Sequence, residues 1–186
     1  TILRVFREDP SGPTATELTA GISPPLAVDA ATLIAGRSLA VSNGKVFDSV
    51  RMRGGGSSFP MRPDNVDQGL QYYEIDGMEV WKQVVLYQPK VIRRSLAKLG
   101  LTEHDVDFFV FHQANLRLIE YLMAKMRLPM SKTYTNVSDY GNTADASQAI
   151  ALCEAVENGC LHRDDLVVVS GVGAGFTFGA TVMRWY

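Results

Sequence analysis

The chain has 186 residues, 18 Lys and Arg against 20 Asp and Glu for a net charge of −2, and 46% hydrophobic residues. That length supports one core with at most an added lobe. The near-neutral balance gives no support for a general nucleic-acid or membrane partner, no apolar run is long enough to span a bilayer, and no signal peptide is visible.

The two cysteines lack metal-ligand spacing and fit a reduced, cytoplasmic setting. The chain opens on Thr1, and TILRVFREDP reads as the middle of a longer polypeptide, so a preceding segment is expected. Thr1–Glu8 reads as a strand end or helix remnant. Asp9–Pro25, rich in Pro, Gly, Ser and Thr, reads as a loop. Leu26–Gly36 is small and apolar and predicts a buried strand. Ser38–Val41 and Lys45–Met52 predict two strands of a hairpin around Asn43-Gly44. Gly54–Gly69, with three consecutive glycines, reads as another loop.

Gly77–Gly100 carries the longest helical pattern, with Trp81, Val85, Ile92, Leu96 and Leu99 at helical spacing and Gly100 as its stop. Pro89 inside it predicts a kink or a split into two helices. Thr102–Asp105 predicts a short capped turn. Strand Val106–Phe111, helix Asn115–Arg127, helix Asn142–Glu157, strand Leu166–Ser170 and strand Phe176–Trp185 follow. Alternating strands and helices argue for a layered α/β fold.

Two segments carry chemistry. FVFHQANLR (Phe109–Arg117) runs a buried strand straight into His112, and YGNT (Tyr140–Thr143) places Asn142 at a helix start. A strand's C-terminal end and a helix N-terminus can face one crevice, the usual site location in α/β sheets. His112 and Asn142 then offer two hydrogen-bond donors to one oxygen, as a developing oxyanion or enolate needs. On spacing alone, the favoured readings are His112 as a structural histidine and Asn142 as a helix N-cap.

HQANLR, YGNT with its small-residue helix, and the terminal GVGAGFTFGATVMRWY together resemble the C-terminal half of a β-ketoacyl-acyl-carrier-protein synthase III, a thiolase-like family. The match runs from about Asp76 to Tyr186. It implies a thiolase-like layered α/β sandwich in which residues 1–75 are a divergent tail of the N-terminal half with connecting loops, and residues 76–186 are the C-terminal half. The resemblance implies that a neutral His112 and the amide of Asn142 hold the enolate formed when a malonyl thioester loses carbon dioxide. An amide cannot take a proton, so Asn142 favours decarboxylative condensation over plain acyl transfer.

GVGAG looks like a dinucleotide-binding glycine loop, but a strand rather than a helix follows it. In the resembled family this loop lends a backbone N–H, here that of Ala174, to a second oxyanion hole. Ala174 stands where glycine is usual, and a required positive φ would strain it. Val172 stands where phenylalanine is common, implying a wider pocket, which Phe176 also lines.

The family's nucleophile is a cysteine in the N-terminal half. Cys153, on the Ala149, Cys153, Val156 stripe, reads as core packing, and Cys160 as a loop residue. The nucleophile is therefore expected outside this chain, from a second polypeptide or a missing N-terminal half. Thr1 as an N-terminal nucleophile is the minor alternative. Arg117, Lys125 and Arg127 read as a solvated helix face, and the resemblance places acyl-carrier-protein docking at Arg117. Arg51 and Arg53 are uninformative.

The expected activity is condensation of an acyl thioester (acyl-CoA or related) with a malonyl thioester, in a homodimer, with no metal or redox cofactor. The alternatives are an acyltransferase of the same fold making an ester or amide, and a non-catalytic half of a split or clipped synthase.

Overall fold

A computed structural model describes residues 37–185. The readings at Thr1–Glu8, Asp9–Pro25 and Leu26–Gly36, and Thr1 itself, lie outside the described residues.

The main sheet has four strands: β1 (Arg37–Ser42), β4 (Phe108–Phe111), β5 (Leu166–Gly173) and β6 (Thr177–Arg184), in the order β1-β6-β5-β4. β4 and β5 run parallel, while β6 is antiparallel to both β5 and β1. β2 (Val50–Met52) and β3 (Tyr73–Ile75) form a separate antiparallel ribbon. α1 (Gly77–Ala97) and α2 (Leu116–Met126) cover one face of the sheet. The one-turn helix α3 (Val137–Tyr140) leads to α4 (Ala146–Glu157), which covers the other.

β4 shows why the site lies here. All four residues of FFVF are buried. Successive side chains of a strand point to opposite faces. Phe109 and Phe111 therefore join the core under α1 and α2 with Ile92, Leu96, Ile119 and Met123. Phe108 and Val110 join Ala151, Leu152 and Ala155 of α4. A strand coated on both faces can present polar chemistry only at its ends, and His112 follows at once, its N–H bonded to the Ser170 carbonyl at 3.1 Å.

Several expectations need correction. There is no hairpin around Asn43-Gly44. Asn43 is extended at φ −126°, ψ 97°, whereas a two-residue hairpin turn of that type needs positive φ. Its N–H and carbonyl bond to Phe176 instead, at 2.7 and 2.9 Å, and its side chain accepts from the Lys45 N–H. Residues Gly44–Ser49 form two short 3-10 turns separated by a kink at Val46, β1 pairs with β6, and β2 pairs with β3.

Pro89 does not split α1, which runs unbroken from Gly77 to Ala97. Proline lacks the N–H that would bond the Val85 carbonyl four residues back. Lys125 of α2 fills that vacancy, its Nζ donating to the Val85 carbonyl at 3.0 Å. Gly100, at φ 72°, does close the helix, with the Leu101 N–H reaching back to the Leu96 carbonyl.

The helix expected from Asn142 starts later, at Ala146. Ala144 takes φ 52°, and the Thr143 and Ala144 carbonyls accept from Ala146 and Ser147 in tighter turns before regular helix begins. β4 starts at Phe108 rather than Val106. β5 runs three residues past Ser170, because Gly171, Val172 and Gly173 pair with Gly179, Phe178 and Thr177. Phe176 falls in the turn before β6. The capped turn at Thr102–Asp105 is present, with Asp105 Oδ2 accepting from both the N–H and the hydroxyl of Thr102.

Candidate active site

His112 sits half-buried at the end of β4. Its Nδ1 lies 2.7 Å from Ser147 Oγ on the first turn of α4. Burial holds its imidazole below the ordinary histidine range, while the Asp145 carboxylate and a backbone hydrogen bond with Ala144 pull it part of the way back. Burial dominates, so the ring is neutral at physiological pH.

Asn142 is exposed, and its Oδ1 accepts from the Ala144 N–H at 2.9 Å. That bond fixes the amide's orientation: the oxygen faces the turn and the NH₂ faces away. Asn142 caps its own turn rather than the N-terminus of α4. The ring of His112 and the amide of Asn142 thus meet the same residue, Ala144.

The loop bearing Asn142 is tied down from below. Buried Gln113 accepts from the Asn136 N–H at 3.1 Å and donates to the Phe111 and Tyr134 carbonyls. Glu154 accepts from Asn136 Nδ2 at 2.8 Å and from the Tyr140 hydroxyl at 2.6 Å. These bonds bracket α3, and Gly141 at φ 69° then turns the chain into Asn142. The sequence reading missed Gln113, Glu154 and Ser147 as site residues. Gln113 sits inside the HQANLR motif, and Ser147 is a hydroxyl within an otherwise small and apolar helix, so both were visible as oddities. Glu154 gave no local signal.

An open cavity of about 470 Å³ lies beside the imidazole. Its lining includes His112, Asp145, Gln148, Gly171, Val172 and Thr177. Val172 is therefore on the cavity wall. Phe176 is not among the lining residues: it is 2% exposed and stacks on Phe178 in the core. Ala174 is exposed in the β5–β6 turn, and the positive φ of that turn falls at Gly175 (138°) rather than at Ala174. Asn142 and Ala174 stand outside the cavity lining.

Arg117 is exposed on α2 and pairs with Glu120 at 3.0 Å. Lys125 is committed to Val85, and Arg127 closes α2 at φ 59°. Arg51 and Arg53 both bind Glu74, which holds that carboxyl below its ordinary range.

Cys153 is not in the core. It and Cys160 are both exposed, as are Ala146, Ala149 and Val156 on the same side of α4. Glu157 raises the Cys153 thiol and accepts from it at 3.6 Å, which makes it a poor nucleophile. Neither cysteine lines the cavity. Among the described residues, no His, Cys, Asp or Glu group is placed to hold a metal ion, and no helix is long and apolar enough to cross a membrane.

Residues 96–185 match the family model for the 3-oxoacyl-[acyl-carrier-protein] synthase III C-terminal domain. The chain is 38% identical over 134 residues to the β-ketoacyl-[acyl-carrier-protein] synthase III of Koribacter versatilis, covering 72% of this chain and 40% of that protein. To the same enzyme of Pyropia yezoensis it is 42% identical over 111 residues, covering 60% and 34%. The solved synthase III of Thermus thermophilus superimposes with a TM-score of 0.69 at 32% identity, over 80% of this chain and 45% of that one. That of Aquifex aeolicus gives 0.67 at 30%, over 80% and 43%. The chain thus spans less than half the length of these relatives, and its fold is the thiolase-like α/β fold. With the HQANLR and YGNT segments falling inside the matched stretch, residues 96–185 belong to the C-terminal domain family of the 3-oxoacyl-[acyl-carrier-protein] synthases III.

Proposed function

We propose that this chain supplies the decarboxylating half of a β-ketoacyl synthase III-like active site. An acyl thioester, acyl-CoA or a relative, acylates a cysteine on a polypeptide outside the described residues. A malonyl thioester, on acyl-carrier protein or CoA, then binds at His112. Its C–COO⁻ bond breaks and carbon dioxide leaves. The electron pair forms an enolate whose oxygen takes hydrogen bonds from His112 and Asn142. The enolate carbon attacks the acyl carbonyl, and the cysteine thiolate leaves. Donors of this kind contribute about 3–4 kcal/mol each.

The observation that carries this reading is the neutral His112 beside a cavity, one residue away through Ala144 from an amide whose NH₂ faces outward. Neutral donors hold an enolate without quenching it.

The exposed small and apolar side of α4 (Ala146, Ala149, Cys153, Val156) supports a second polypeptide, or an N-terminal part, packing there and bringing the cysteine. Docking of an acidic carrier protein at Arg117, a cytoplasmic setting, dimerisation, and a role in fatty-acid or polyketide synthesis belong to the same reading.

One observation favours the acyltransferase alternative. Asp145 sits beside His112 and raises its basicity, as a general base would require. Carbon dioxide release from a malonyl thioester, assayed with the completing polypeptide present, separates the two. Release supports condensation; ester or amide formation without release supports acyl transfer.

A further inference from the structure

We propose that Ser147 sets the tautomer of His112, its hydroxyl donating to Nδ1 so that the ring proton stays on Nε2. Ser147 is 1% exposed, and its Oγ has two partners: His112 Nδ1 at 2.7 Å and the Gln113 N–H at 3.1 Å. An amide N–H can only donate, so Oγ accepts from Gln113. The hydroxyl has one proton to give. Among the described residues, Nδ1 is the acceptor within reach, and with it Ser147 is satisfied in both roles. Were Nδ1 protonated instead, Oγ would accept twice, and a buried hydroxyl proton would be left with no acceptor.

The fold builds this contact. Because α4 begins at Ala146, Ser147 falls on its first turn, against the end of β4. The Ala144 carbonyl accepts the Ser147 N–H at 3.1 Å, which holds Ser147 in that turn. Asp145 is the charged group beside the ring. Ser147 is thus a positioning residue: it touches no substrate, but it decides whether Nε2 presents a proton or a lone pair. The consequence for catalysis rests on the reading above, in which His112 must donate. With the opposite tautomer, His112 would be a base.

Long-range ¹H–¹⁵N spectra of the imidazoles in the full chain, taken where the rings are neutral, test this directly. The expected His112 signature is a protonated-type Nε2 and an unprotonated-type Nδ1. Ser147→Ala should lose that dominance and give a mixture of tautomers. Ser147→Thr, which keeps the hydroxyl, should restore the original signature. A merely structural serine would not move the tautomer. A protonated Nδ1 in the unaltered chain overturns the proposal, as does an unchanged signature in Ser147→Ala. If Ser147→Ala does not fold, the unaltered chain and Ser147→Thr decide: Nε2–H in both supports it, and Nδ1–H in either overturns it. The spectra read the tautomer without turnover. An Nε2–H signature with no carbon dioxide release leaves Ser147's role intact while the condensation reading fails. Release with an Nδ1–H signature does the reverse.

Discussion

Glu154, in the middle of α4, accepts the hydroxyl proton of Tyr140 at 2.6 Å and so holds the last residue of α3, two positions before Asn142. Its other oxygen holds Asn136 at the start of the same turn. A single carboxylate thus clamps both ends of the one-turn helix that leads into Asn142.

Removing the clamp should loosen that segment before it unfolds the protein. Glu154→Ala deletes two hydrogen bonds to a charged group and should cost about 1–3 kcal/mol in thermal unfolding. Amide hydrogen exchange at residues 140–144 should accelerate, while exchange in β4 and β5 stays slow. Unchanged exchange at Asn142 would show that the clamp does not position it.

Lys125 and Pro89 should be coupled through the Val85 carbonyl, although they lie on different helices. Lys125→Met leaves that carbonyl without a partner and should cost about 1 kcal/mol. Pro89→Ala restores a backbone N–H at position 89, which takes the carbonyl back. In that background, Lys125→Met should cost close to nothing. A double-mutant cycle measures the difference, and additive effects would disprove the link.

His112 should make the fold sensitive to mild acid. Its folded pKa lies below the unfolded value of about 6.5, so the unfolded chain takes up the proton first as pH falls. Stability should therefore drop as pH falls through about 6.5 and level off below the folded pKa, then drop again in the carboxylate range, where Glu103 and Asp105 have depressed values. Denaturant midpoints from pH 8 to pH 5 report the first step. His112→Gln should flatten that step and leave the more acidic one. An unflattened profile would mean that burial does not hold the ring neutral.

The sequence made the buried strand before His112 legible because FFVF is continuous apolar sequence ending in a polar residue. It made the ends of two helices legible because Asn115 and Gly100 act locally: the first caps α2 at the Leu118 N–H, the second supplies a positive φ. Failures came where a distant partner outbid a local signal. Asn43-Gly44 has the composition of a hairpin turn, but the backbone of Asn43 is taken by Phe176, more than a hundred residues on. Pro89 should break a helix, yet Lys125 repairs it from another one. The YGNT motif identified Asn142, but not the turn at Ala144 that delays the helix and brings Ser147 under the imidazole.

The central claim is that His112 and Asn142 act together on the enolate oxygen and not on the acylation of the cysteine. The most direct measurement follows the two half-reactions separately in the assembled enzyme: acyl transfer from an acyl-CoA onto the cysteine, and labelled carbon dioxide release from a malonyl thioester. His112→Ala and Asn142→Ala should each lower carbon dioxide release by about 10²–10³-fold while leaving acylation within a few-fold of the unaltered enzyme. Equal loss of both half-reactions, or undiminished carbon dioxide release in either variant, would contradict the account.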